Sequence, residues 1–155
     1  MKQSILVLLA GLCLFFTACT SKESALKKYA VSVAETRLND TLTKEAADGI
    51  TNSQWIQQSY REYIFNRSKF EAMDVKFQGE NSATVTVVTS TYSTKLRQTL
   101  VGIAAKADGS KKLFNFGDAI KAVGRQTGQS VGIDEHTPMV IKFSRNGGQW
   151  VEDGK

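Results

Sequence analysis

The sequence predicts an α+β fold, built from N-terminal helices, antiparallel hairpins and a partly helical insertion around 95–136. Three observations predict it. Apolar residues repeat at helical spacing between about 24 and 66, the period falls to two over 70–93, and Asn146-Gly147-Gly148 divides two apolar runs near the end of the chain.

The elements follow in chain order. Lys2 gives a positive start, and Ile5 to Ala18 then supply fourteen uncharged residues, ILVLLAGLCLFFTA. A helix needs about 20 apolar residues to span a bilayer. The run is too short for that and has the length of a secretory signal core. Residues 1–18 therefore read as a signal peptide cleaved after the small Ala18, and 19–155 as one α+β domain.

Thr20-Ser21-Lys22-Glu23 fits a capping box, with Ser24 as an equally good cap, so a helix is expected to begin almost at Cys19. From 24 to 48, Leu26, Tyr29, Ala30, Val33, Ala34 and Leu38 fall close to one stripe, and Gly49 is a natural stop. A second helix is expected over 52–66, opened by a capping box at Thr51-Asn52-Ser53-Gln54 and carrying Trp55, Ile56, Tyr60, Tyr63 and Ile64 at helical spacing.

Met73, Val75 and Phe77 then alternate with Asp74, Lys76 and Gln78. A turn at Gly79-Glu80-Asn81 leads to the branched run Ala83 to Thr89, so 70–93 predicts an antiparallel hairpin. Near the end, Met139 to Ser144 and Gln149 to Glu152 predict a second hairpin. A two-residue Asn146-Gly147 turn of type I′ would set Phe143 opposite Trp150 as an aromatic cross-strand pair. Between the hairpins, Leu96, Leu100, Ile103, Ala104 and Ala107 suggest one helix, and Leu113, Phe116, Ala119, Ile120 and Val123 another. The stretch 127–136 reads as loop.

Charge is uneven. The chain of 155 residues has a formal net charge of +5, with 41% hydrophobic and 23% charged residues, an ordinary globular balance. Residues 95–126 hold seven basic residues (Lys95, Arg97, Lys106, Lys111, Lys112, Lys121 and Arg125) against Asp108 and Asp118. From Cys19 the remainder has twelve basic and thirteen acidic residues, so the excess is local. Such a segment suits an anionic lipid surface, with Leu96, Leu100, Leu113 and Phe116 toward the acyl boundary, or a solvated helical pair that caps the fold. Both cysteines, Cys13 and Cys19, lie in or beside the first apolar run, so no disulfide, thiol nucleophile or thiolate metal site is expected beyond them.

Phe16-Thr17-Ala18-Cys19 resembles the lipobox of bacterial lipoproteins. The resemblance implies a fatty-acylated Cys19 at the mature terminus, an exported chain and a membrane partner reached through the lipid. Phe16 departs from the leucine usual at that place. Thr20, not aspartate, follows Cys19, which implies the outer membrane and a periplasm-facing domain. The layout of helices and hairpins, with "NSATVTV" and Gly148-Gln149-Trp150, also resembles the nuclear transport factor 2-like superfamily. That implies helices packed into a strongly curved, cone-like sheet over roughly 24–94 and 137–153, close to small lipoprotein domains of unknown function.

That superfamily includes enzymes with an acid or base inside the cone. Here His136, within Asp134-Glu135-His136, is the single histidine, with no second ligand or nucleophile at a useful spacing. It is expected as an exposed loop residue. Asp74 would be a buried carboxylate only in an inverted hairpin register. The expectation is therefore an envelope lipoprotein with a non-catalytic domain that binds a small apolar ligand or an envelope protein. Trp55, Tyr60, Tyr63, Phe77 and Trp150 are the candidate pocket lining. No cofactor, metal or nucleic acid is expected. The alternatives are an enzyme with a carboxylate in the cone cavity, or a protein that works at the membrane surface through 95–126.

Overall fold

The computed structural model describes the backbone of residues 2–108, 114–128 and 130–154, and the side chains of these from Lys22 onward. Cys19, Ala18, Lys111 and Lys112 thus lie outside the described side chains. The fold is α+β. Helices α1 (Lys2–Gly49) and α2 (Gln54–Phe65) precede the hairpin strands β1 (Lys69–Phe77) and β2 (Ser82–Thr91). Helices α3 (Thr94–Asp108) and α4 (Phe116–Thr127) lead to β3 (Glu135–Asn146) and β4 (Gln149–Glu152). The strands form a four-stranded antiparallel sheet in the order β1-β2-β3-β4. The sheet is uncurled, where the resemblance implied a cone.

Several expected boundaries move. Helix α1 is continuous through Thr20 and Ser24, so neither caps a helix start. Helix α2 is capped at Ser53 in extended backbone without a side-chain hydrogen bond, so the box centred on Thr51 is not formed. The amide of Asn52 is instead taken by Asp108 Oδ2 at 2.9 Å. The insertion does hold two helices. Asn115, whose side chain accepts from the Asp118 amide, caps α4, and Gly128 at φ 67° ends it in the left-handed conformation. Strand β3 begins four residues before Met139, so the expected loop ends earlier and Pro138 lies in a strand. β4 pairs only with Phe143–Asn146. Among the described residues, Pro138 thus faces no β4 partner on that side, where its missing amide costs no ladder bond.

The final hairpin keeps a two-residue turn but moves it by one position. Asn146 pairs with Gln149, Arg145 with Trp150 and Phe143 with Glu152, so the turn is Gly147-Gly148 and the expected Phe143–Trp150 pair is not formed. A type I′ turn needs φ > 0 at both central residues. Gly147 at φ 57° and Gly148 at φ 85° supply it without a Cβ penalty, and Asn146 stays in the strand. Gly148→Ala should therefore cost about 1–2 kcal/mol, while Asn146→Ala should stay within about 0.5 kcal/mol. Urea unfolding of the two variants checks this, and the opposite order would restore the Asn146-Gly147 turn.

The residues cluster into two compact units, Met1–Ser32 with Ala72–Val87 and Val140–Lys155, and Val33–Glu71 with Val88–Met139. In the first, the buried apolar residues are Leu26 and Ala30 of α1, Ala83, Val85 and Val87 of β2, and Ile141 and Phe143 of β3. Tyr29 lies on Phe143 with ring centroids 5.2 Å apart. The second unit has a helical core. Leu38, Leu42 and Ala46 continue the four-residue stripe of α1 and join Ile56, Tyr60 and Ile64 of α2, Leu100 of α3 and Phe116 of α4. The end of α1 approaches α3 so closely that a Cβ on Gly49 would overlap Val101.

Candidate functional site

Within the second unit a charged group sits inside the helical core. Arg97 was expected as a surface base, yet only 5% of it is exposed. Its Nε lies 3.2–3.3 Å from both carboxylate oxygens of Glu45, and its Nη2 lies 3.2 Å from Glu45 Oε1. Nη1 donates to the Tyr92 carbonyl at 2.6 Å, and Nη2 to Thr94 Oγ1 at 3.2 Å. Tyr60 OH donates to Glu45 Oε2 at 2.7 Å. The guanidinium is thus held by four acceptor atoms, which offsets much of the cost of taking the charge out of water. It is not free to meet a lipid headgroup, which corrects its place among the surface bases.

Tyr60 titrates accordingly. Burial pushes its hydroxyl well above the ordinary tyrosine range, and the hydrogen bond to Glu45 and that carboxylate's charge push the same way. The unfolded chain gives up this proton near pH 10 and the folded chain keeps it, so stability falls as pH rises past that point. The slope approaches about 1.4 kcal/mol per pH unit. Tyr60→Phe should flatten this alkaline limb. Tyr92 is raised less, by burial and then by Tyr63, and accounts for any residual slope. Thermal unfolding between pH 8 and 11 reads it, and identical slopes in both proteins would contradict it.

Beside this network lies a recess of about 160 Å³, lined by Ala34, Arg37, Leu38 and Thr41 of α1, Thr89 and Thr91 of β2, Arg97 of α3, and Glu135, Thr137 and Met139 of β3. Strand β2 explains the threonines. Its alternation buries every second residue, Ala83, Val85, Val87, Thr89 and Thr91, so the last two carry hydroxyls onto the buried face. Thr91 Oγ1 accepts from Ser68 at 2.8 Å. Thr89, 8% exposed, has a buried Oγ1 with no hydrogen-bond partner among the described residues. Such an atom is costly to leave unmet, by about 1–3 kcal/mol. Two polar residues on the buried parity of a branched strand were the signal for this site in the sequence.

The residues around His136 serve the framework. Asp134 Oδ1 accepts from the Ser93 amide at 2.8 Å and Glu135 Oε2 from the Thr94 amide at 2.8 Å, so both carboxylates meet amides at the start of α3. His136 is exposed, as expected, though in β3 rather than in a loop, and its Nδ1 lies 2.8 Å from Ser90 Oγ. Asp74 is exposed. No group of three or more His, Cys, Asp or Glu side chains able to hold a metal ion occurs among the described residues.

The expected aromatic lining does not converge. Tyr60 is fully buried, and with Tyr63 it packs on Phe116 at 5.7 and 6.0 Å, so the α2 stripe fills the helical core. Trp55 is 50% exposed and lines none of the recesses described. Phe77 and Trp150 belong to the first unit. Their centroids lie 6.2 Å apart, and they line a separate recess of about 270 Å³ with Lys22, Gly79, Glu80 and Arg145. Of the remaining bases, Lys95, Lys106, Lys121 and Arg125 are exposed. Lys121 and Arg125 border an open groove along α4, with Lys121 3.7 Å from Asp118. Leu96, Leu100 and Phe116 are buried, so none of these faces an acyl boundary, and Leu113 lies outside the described residues.

No protein-family model, no curated protein and no solved structure matches the chain.

Proposed function

We propose that the chain is a cell-envelope lipoprotein, tethered through Cys19 and carrying a non-catalytic domain that binds a small polar ligand. The lipobox-like Phe16-Thr17-Ala18-Cys19 supports the tether. The single observation that supports the binding role is the threonine-lined recess with the unmet Thr89 hydroxyl at its wall. The recess, about 160 Å³ and open on one side, has room for a small ligand such as a carboxylate or oxyanion. Thr41 and Thr137 already donate to the Arg37 carbonyl and to Glu135, so the Thr89 hydroxyl and the charge of Arg37, set against the Glu135 carboxylate, are what favour such a group over the apolar ligand expected from the aromatic stripe, whose tyrosines are spent on the core.

Two measurements test this reading. Palmitate labelling and membrane fractionation of the wild type and Cys19→Ser test the tether. Incorporation lost in the variant is expected, and an unlabelled wild type would sink it. Thermal shift of the mature protein against acetate, formate, phosphate and sulfate tests the recess. A stabilising shift that disappears in Thr89→Val supports it, and equal responses from both proteins would discard the recess as the site.

A further inference from the structure

The first unit holds a second surface that the binding role does not use. The recess shared by Phe77 and Trp150 gathers residues from three places in the chain. Lys22 comes from α1, Phe77, Gly79 and Glu80 from the end of β1 and its turn, and Arg145 and Trp150 from either side of the Gly147-Gly148 turn. The two turns are joined by a hydrogen bond from the Arg145 amide to the Asn81 carbonyl at 2.8 Å, so the patch is one piece of framework. It is amphipathic. Phe77 is 45% exposed, and the cations of Lys22 and Arg145 stand beside the rings against the single carboxylate of Glu80 in the lining. The Arg145 Nε donates to the Gly148 carbonyl at 3.3 Å, which steadies the arginine at the turn.

The position of the patch decides what covers it. Lys22 stands three residues after Cys19, and α1 is helical between them. At about 1.5 Å per residue, those three residues advance about 4.5 Å along the helix. Even fully extended they reach only about 10 Å. A headgroup layer is about 5–8 Å deep on each side of a bilayer. A lipid on Cys19 therefore holds Lys22, and with it Phe77, Arg145 and Trp150, within or against that layer. Tryptophan with lysine and arginine is the side-chain set that suits this zone, with rings at the headgroup level and cations on phosphate.

We propose that the Phe77–Trp150 face is a membrane-interface contact, seated on anionic phospholipid headgroups beside the anchor. The proposal rests on the lipidation of Cys19. It assigns membrane contact to the hairpin turns of the first unit rather than to the basic 95–126 segment. The contact fixes the domain against the surface at a second point, where a single tether alone would let it swing.

The test uses the full lipidated chain, carrying Trp55→Phe so that Trp150 is the one tryptophan. It is reconstituted into phosphatidylcholine vesicles with phosphatidylglycerol, some labelled with brominated acyl chains. Mass spectrometry first establishes the lipid on Cys19. The expected result is a blue-shifted Trp150 emission that brominated lipid lowers about twofold, as a ring at the base of the headgroups requires. Lys22→Glu with Arg145→Glu should return the emission toward that of an aqueous ring while leaving the chain on the vesicles. A lipidated chain whose Trp150 is unquenched by bromine and open to iodide overturns the proposal and leaves the anchor intact. A blue shift without bromine quenching assigns the face to a second copy of the chain and also overturns it. A chain with no lipid on Cys19 takes down the anchor and this contact together.

Discussion

Replacing Glu45 with alanine is expected to destabilise the protein by about 3 kcal/mol, the low end of the range for stripping one partner from a buried ion pair. The reason is the unequal burial of the two groups. The Arg97 side chain is 7% exposed and that of Glu45 21% exposed, so water reaches the acid but barely the base. Without Glu45 the guanidinium keeps only the Tyr92 carbonyl and Thr94 Oγ1, and Tyr60 loses its acceptor. Arg97→Met should cost less, because its loss leaves the more exposed partner behind and an apolar side chain in the core. Urea unfolding of both singles and the double variant measures the coupling. A loss below about 1 kcal/mol on removing Glu45 would place the pair with surface salt bridges and refute its structural role.

The second large effect belongs to the first unit. Phe143 is fully buried, packs on Tyr29 and stands opposite Glu152. Phe143→Ala should cost about 3–5 kcal/mol, by lost transfer energy and by the cavity left beside Tyr29 in the buried part of the first unit. Phe143→Leu should recover most of it, since it keeps the site apolar and nearly filled. Guanidinium unfolding with tyrosine and tryptophan fluorescence compares the two. Equal losses for Ala and Leu would mean that the aromatic contact with Tyr29, rather than volume, fixes the strand.

Much of the architecture was legible because periodicity dominates it. The stripe from Leu26 to Leu38, the alternation through Ala83 to Thr89 and the paired helices of the insertion all appear at the expected places. The misses have local causes. Placing the turn at Asn146-Gly147 moved the register by one turn position, because both that dipeptide and Gly147-Gly148 satisfy a type I′ turn and the attractive Phe143–Trp150 pair fits only the first. Pro138 hid the start of β3, since a proline argues against a strand unless its open side is known. Arg97 looked like one lysine-like charge among several. Only tertiary structure brings Glu45 to it from 52 residues away.

The site was less legible for the same reason. Aromatic residues at helical spacing on α2 say that a face is apolar, not whether protein or ligand covers it. The threonine-lined recess depends on the parity of β2 relative to the core, which the alternating pattern carried in Thr89 and Thr91. The acids beside His136 were read as part of an exposed loop. Their partners are amides at the start of α3, and no spacing rule reveals that.

The short β4 has a consequence for how copies of the chain meet. It leaves the front of β3 as an open margin on which Val140 is 61% exposed, and a bare strand margin invites another chain to add its own. Pro138 interrupts that row of donors with a residue that cannot take part. Swapping it for valine would restore the row, and strand-to-strand association of that variant at high concentration is the expected result.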